Sequence, residues 1–565
     1  MIKFILIFIF IFINSFAQKS NDNNYFNGLE IGNLGSPFLS FFPNFSQKNL
    51  ELSPDFMGNT LLEKKIFSSL NHIFFSSDTV IKNGLKYIGV YSDGGFISSQ
   101  LNRPISDNSY INFNYENLSS KGYFQFQENK FSNLSFQYSY FDKKIPYALI
   151  FHLKSVNNFS LENGGIEDYN QNLSDDLQQT YFFNANSEMR SRVFSFLHYY
   201  KFKSGRMISH EIDYNRYKKV FVDNTANSFH YSFTPLFFAI LENYSNTMSF
   251  YQLKNKLTFH SNYFSGKNID FSIKLVEYYH DFISDYRGDF IISVSNFKNI
   301  IDSKYNFDLK FCPFGLNKNN YDFKLLYSYN NNDFNGKYLF GLNKKKADLF
   351  SGIYSPNNLT NLSWEDDISF LKNIYASIDN TIKSRKINFN FNYRRIHNLI
   401  YYDYYALYNQ LEKPVDYFHF LIQKKWFLKN LRIEQCFHFQ KEYFENQDES
   451  NFFSIPFFLF HQSIKYNLDL FEETKLRIDL NFKIHSNYFP NTYMPLSSIF
   501  YNQNEIELGW VPYFSSSIYL EKTNFSLGLI FREIQYAFLE RNYLTKDYIA
   551  NPSSFSLFIN WRFFD

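Results

Sequence analysis

Charged residues set into alternating runs carry the most readable chemistry of this 565-residue chain. Lys310, Lys324, Arg394, Arg477, Lys483 and Arg532, with Asp308, Asp322 and Asp479, each occupy the polar position of a stretch in which apolar and polar residues alternate. On strands that turn one face to water inside a pore, such residues form charge rings that select ions and solutes. Both signs are present, so the expected ion preference is weak. Hydrated pairs across a wall would add little stability each. Other chemistry finds less support. There is no phosphate-binding glycine loop, dinucleotide fingerprint or Gly-x-Ser-x-Gly elbow. His210-Glu211 lacks the second His of a zinc-protease motif. Cys436 and His438 are two apart and share a strand face, but two ligands do not make a zinc site. Cys312 and Cys436 are far apart in sequence, and a bridge between them is not expected. Glu162, Glu167, Asp168, Asp175 and Asp176 crowd one loop that could hold a divalent cation, fold into a pore, or be solvated. The reading is non-enzymatic, with no cofactor and no metal site.

The elements that must position these charges are amphipathic strands. Leu476, Ile478, Leu480, Phe482 and Ile484 alternate with Arg477, Asp479, Asn481, Lys483 and His485. The same period runs through Ile111–Glu116, Leu134–Tyr140, Tyr305–Cys312, Tyr321–Ser328 and Ile387–Arg394. Phe and Tyr dominate the apolar face: the chain holds 73 Phe, 46 Tyr and 4 Trp. A β-sandwich core would favour Val, Ile and Leu. A transmembrane barrel turns its apolar face to lipid and its polar face to the lumen, and closure satisfies every backbone group. The expected fold is therefore all-β, a transmembrane antiparallel β-barrel of about 16 strands, with 14 to 18 in range, over residues 85–565. Short connections (Ser265 to Asn268, Glu521 to Asn524) contrast with long polar ones near 161–190, 352–367, 445–451 and 540–554. Residues 18–84 are less regular and are read as a plug, a periplasmic strand or an early hairpin.

Composition bounds the partners. Lys plus Arg is 56 and Asp plus Glu is 54, which excludes a general nucleic-acid binder. Mean hydropathy is −0.36, which excludes a helical membrane bundle. Met1-Ile2-Lys3 followed by ten apolar residues, Phe4 to Ile13, and the small residues Ser15 and Ala17 form a secretory signal pattern over residues 1–17. Cleavage is expected between Ala17 and Gln18, and with Gln18 in place of Cys a lipoprotein anchor is not expected.

Phe555, Leu557, Ile559, Trp561 and Phe563 share one face, and the sequence ends Phe563-Phe564-Asp565. Trp561, Phe563 and Phe564 are the expected handle for barrel-insertion machinery. Several further segments stand out, in order along the chain. They are Gly32-Asn33-Leu34-Gly35-Ser36-Pro37, Asn102-Arg103-Pro104, Ser120-Lys121-Gly122-Tyr123 and Glu162-Asn163-Gly164-Gly165-Ile166. Tyr493-Met494-Pro495, Phe500-Tyr501-Asn502-Gln503 and the closing Trp561-Arg562-Phe563-Phe564-Asp565 follow. Taken together and in this order, these segments resemble the putative porins of Bacteroidetes outer membranes. The resemblance implies passive transport across a Gram-negative outer membrane and supplies neither a substrate nor a catalytic residue. The expected activity is diffusion of small hydrophilic solutes through a water-filled lumen. The other partners expected are outer-membrane lipid, lipopolysaccharide and insertion machinery. The alternative is a plugged, non-conducting barrel acting as a structural or adhesive anchor or a secretion-assembly component. An enzyme would need Ser, His and acidic groups converging at one place.

Overall fold

The structure is a computed structural model. It describes residues 83–90, 94–142, 146–224, 244–263, 267–280, 283–300, 302–345, 370–404, 408–444, 453–471, 473–495 and 499–563. The expected signal segment with Ala17 and Gln18, residues 18–82 and Phe564 lie outside them.

Twenty-two strands form one sheet. They are Asn83–Val90 (β1), Gly94–Ser106 (β2), Ser109–Ser120 (β3), Asn129–Phe141 (β4), Tyr147–Glu162 (β5), Ala185–Lys201 (β6), Met207–Asp223 (β7) and Tyr244–Tyr263 (β8). Lys267–His280 (β9), Ile283–Ile300 (β10), Ser303–Gly315 (β11), Tyr321–Asn330 (β12), Phe334–Lys345 (β13), Leu371–Ile382 (β14) and Ile387–His397 (β15) continue it. Val415–Leu428 (β16), Leu431–Phe444 (β17), Phe458–Phe471 (β18), Thr474–His485 (β19), Tyr513–Glu521 (β20), Phe525–Arg532 (β21) and Ser554–Phe563 (β22) complete it. Each strand pairs antiparallel with the next, and β22 pairs with β1, so the sheet closes. A closed sheet has no unpaired edge, which is what hydrocarbon requires.

The count corrects the expectation of about 16 strands. Very short turns let more strands fit into the same length of chain. Only residues 107–108 separate β2 from β3, and 429–430 separate β16 from β17. Every connection that follows an even-numbered strand is two to five residues long. Connections after odd-numbered strands include the long ones, 163–184, 346–370, 398–414, 486–512 and 533–553. The barrel thus has a short-turn end and a long-loop end, the asymmetry of outer-membrane barrels.

The period of two decides the faces. Leu309, Leu325 and Leu480 are 38%, 44% and 45% exposed, and the polar residues between them point the other way. A large apolar side chain left this open belongs in lipid, so the opposite face lines the lumen. Aromatic neighbours cover the outer surface, as with Phe307 and Phe323 at 5.4 Å and Phe482 and Phe514 at 5.0 Å. The lumen wall is not uniformly polar. Ile88, Phe96, Leu118, Phe131, Tyr217, Phe250 and Phe558 form a buried inward band near the long-loop end.

The long loops carry cores of their own. Phe124, Ile166 and Ile549 pack together from three loops. Tyr493, Leu544, Tyr548 and Ala550 pack from two. Leu371, Ile396, Leu399, Leu411 and Val415 build another above β14–β16.

Candidate functional site

The wall charges are placed by register. Lys310 faces Asp322 and Asp308 faces Lys324 across β11 and β12, so signs alternate in both directions. Along each strand, Lys310 Nζ lies 3.4 Å from Asp308 Oδ2 and Lys324 Nζ 3.2 Å from Asp322 Oδ2. Arg477 Nε lies 3.4 Å from Asp479 Oδ2, and its Nη1 pairs with Glu521. The same guanidinium stands 4.2 Å above the Tyr519 ring. Arg532 Nη1 donates to Ser556 Oγ at 2.6 Å. Arg394 is 4% exposed and faces Tyr375 on β14 and Tyr417 on β16. Lys483 faces His461 and Tyr513. All the charges singled out from the sequence therefore share the inward face, distributed around the wall in mixed-sign groups.

Glycines let aromatic rings lie flat on this wall. A Cβ at Gly341 would meet Tyr375 Cζ at 2.1 Å, and one at Gly528 would meet Tyr519 Cδ1 at 2.4 Å. The Tyr375 ring thus covers the backbone of β13 beside Arg394.

His419 Nε2 and His438 Nδ1 are 3.2 Å apart on the inward face. Among the described residues no group of three or more His, Cys, Asp or Glu is arranged to hold a metal ion. Cys312 and Cys436 are buried free thiols. His210 contacts His198 at 3.2 Å, on the face opposite to Glu211.

At the long-loop end, the acidic loop is tied to its neighbours. Arg541 grips Asp175 through both guanidinium nitrogens, with Nη1 donating to Oδ2 at 2.8 Å, and Nη2 donates to Tyr169 Oη at 2.6 Å. Glu162 accepts from Ser187, and Glu167 accepts from Gln179 Nε2 at 2.6 Å. Ile166 N–H donates to the Asp547 carbonyl at 2.7 Å. Gly165, at φ +99°, has no room for a side chain: a Cβ would meet that carbonyl oxygen at 2.6 Å. The Glu162–Ile166 motif is therefore the docking point of loop 163–184 on loop 533–553.

Loop 486–512 joins the same assembly. Thr492 Oγ1 donates to Lys546 O at 3.0 Å, Thr545 Oγ1 to Pro490 O at 3.1 Å, and Asn502 N–H to Tyr402 O at 3.1 Å. Gln503 organises its turn by donating to Pro490 O and Ile506 O, each at 2.8 Å. Burial pushes the Asp547 carboxyl up to about 6, with the Lys546 charge and the Tyr181 hydroxyl opposing.

Trp561 and Phe563 share the outward face of β22, their ring centroids 4.3 Å apart. One further set was left unassembled by sequence reasoning. Ser209, His260 and Asp270 meet on the inward face of β7, β8 and β9, at 3.1 Å and 2.8 Å.

The family described as "Putative porin" matches residues 12–565. The chain belongs to that family. No curated protein sequence matches this porin-family chain. Its fold is shared with larger receptors of known structure. The ferric-catecholate import receptor Fiu of E. coli K12 superposes with TM-score 0.60 at 10% identity, covering 86% of this chain and 82% of that one. The siderophore receptor PirA of Acinetobacter baumannii gives 0.62 at 8% identity, over 86% and 81%. The FrpB iron transporter of Neisseria meningitidis gives 0.60 at 8%, over 88% and 83%. At such identities the likeness concerns the fold alone.

Proposed function

We propose that this porin-family barrel moves small hydrophilic solutes across the outer membrane through a lumen whose outer mouth is restricted by its loops. The observation that carries this reading is the interlocked assembly of loops 121–128, 163–184, 398–414, 486–512 and 533–553 above a 22-strand barrel. Barrels of 16 to 18 strands leave an aqueous channel, whereas 22-strand outer-membrane transporters carry a plugged lumen. An obstructed transporter is therefore favoured over a permanently open diffusion pore. The ferric-catecholate import receptor Fiu and the siderophore receptor PirA share the fold. In this chain the balanced wall charges suit a solute of low net charge, bound through amides, hydroxyls and aromatic faces.

Single-channel recording of the purified protein in a planar bilayer tests it. The intact chain is expected to show small or rare openings. Arg541→Ala, which removes the clasp on Asp175 and Tyr169, should raise open probability severalfold. Large, steady ohmic steps from the intact protein would overturn the restricted-mouth reading in favour of an open porin.

A further inference from the structure

Three side chains on the lumen wall stand as a nucleophile, its base and the carboxylate that orients the base. Ser209 Oγ lies 3.1 Å from His260 Nε2. Across the ring, His260 Nδ1 lies 2.8 Å from Asp270 Oδ1. The contacts use opposite ring nitrogens. With Asp270 accepting from Nδ1–H, the neutral imidazole presents a free Nε2 to the Ser209 hydroxyl. The ladder builds this arrangement. His260 faces Asp270 directly across β8 and β9, and Ser209 faces Thr258, one inward position further along β8. The His260 and Asp270 side chains are 25% and 39% exposed, so lumen water reaches them. Each residue lies two or three positions from the short-turn end of its strand.

We propose that Ser209, His260 and Asp270 form a hydrolytic centre for carboxylic esters that enter the lumen from its short-turn end. Ser209 Oγ attacks the ester carbonyl carbon, its proton passes to His260 Nε2, and the carbonyl π pair moves onto oxygen. Collapse of this intermediate breaks the bond to the alcohol, which takes the proton from His260. Water then attacks the acyl-serine, giving one proton to His260 and through it to Ser209, and the carboxylic acid leaves. Water is the only co-reactant.

β7, β8 and β9 are laddered on both sides, so donors to the oxyanion come from side chains. Thr258 sits opposite Ser209, and Lys256 and Lys274 face each other at the next inward position. That position is about 7 Å along the strand, a reach a lysine side chain spans. Side-chain donors and a hydrated Asp270 predict slow turnover. The centre is far along the strands from the mouth loops, so it holds or fails independently of the transport reading.

The test is reaction of the intact, detergent-purified protein with an alkyl fluorophosphonate, followed by peptide mass spectrometry. The expected result is a phosphonyl adduct on Ser209. His260→Gln should cut its yield at least tenfold and Asp270→Asn severalfold. Ser515→Ala, an inward serine of β20, should leave it unchanged. Heat-modifiable migration confirms that each variant is folded. A folded protein without the Ser209 adduct overturns the proposal and leaves a polar ladder only. An adduct formed equally well in folded His260→Gln overturns it too. The adduct is sought on the unaltered chain, so the outcome does not hang on a variant folding.

Discussion

At the scale of single residues, Asp547 decides how firmly the mouth loops hold together. It sits at φ +67°, a left-handed conformation that Asp and Asn tolerate best among side-chain-bearing residues. Its carbonyl receives Ile166 N–H, and its carboxyl accepts from Tyr181 Oη at 3.4 Å. Burial raises the carboxyl to about 6 when the loops are docked. Undocked, it would titrate near the ordinary ~3.9. Between these values the docked form holds a proton that the undocked form has lost. Docking is therefore strongest below about pH 4, weakens as pH rises, and has lost this contribution above about pH 6. Proteolytic nicking within residues 167–174 should rise over that window, measured against Asp547→Asn at each pH. The amide keeps the backbone conformation and removes the titration, so the variant should show no such rise. A parallel rise in both proteins would remove Asp547 as the cause. The sequence showed the glycine pair at 164–165 and a family motif around it. It could not show the Asp547 carbonyl that makes a side chain at Gly165 impossible, because that partner lies in another loop.

At the scale of strands, alternation was legible because each strand has one face in lipid and one in the lumen, and period two survives any neighbour. Strand number was not. Counting strands needs every turn, and a turn such as 429–430 carries no break in the alternation strong enough to mark it. Pairing was legible only within hairpins. His260 and Asp270 lie five residues either side of position 265, inside a turn the sequence did reveal, so their meeting could have been read. Ser209, 51 residues away, could not. Packing between neighbouring strands was equally hidden. Gly341 on β13 is open to the Tyr375 ring only because β14 pairs there. Gly341→Ala should push Tyr375 off the wall and away from its place beside Arg394, destabilising the barrel by about 1–2 kcal/mol. The drop should appear as a lower temperature for loss of the folded, fast-migrating form. Tyr375→Ala should remove most of the further cost of Gly341→Ala. If the two costs simply add, the ring is not what the missing Cβ accommodates.

At the scale of the whole barrel, strand length is uneven around the circumference. β5 to β8 run from 16 to 20 residues, and sixteen residue pairs join β5 to β6. β1 has eight residues, β21 eight and β20 nine, and only six pairs join β1 to β22. A tilted strand needs about 9–11 residues to cross the hydrocarbon. The closing seam, like the six-pair β20–β21 ladder in the same sector, therefore has the fewest ladder pairs between strands that barely span, and unfolding should begin in this short-stranded sector. The seam's register sets Lys86 opposite Asn560 on the inward face, where opposed Cβ atoms are about 5 Å apart. Lys86→Cys with Asn560→Cys should cross-link under mild oxidation in the folded protein. The two native thiols, on β11 and β17, are too distant to interfere. The cross-linked barrel should keep its folded migration to a higher temperature than the reduced one. Failure to cross-link would mean that the seam closes in another register. Cross-linking without a thermal gain would place the first opening elsewhere, with the loop assembly at the mouth as the next element to examine.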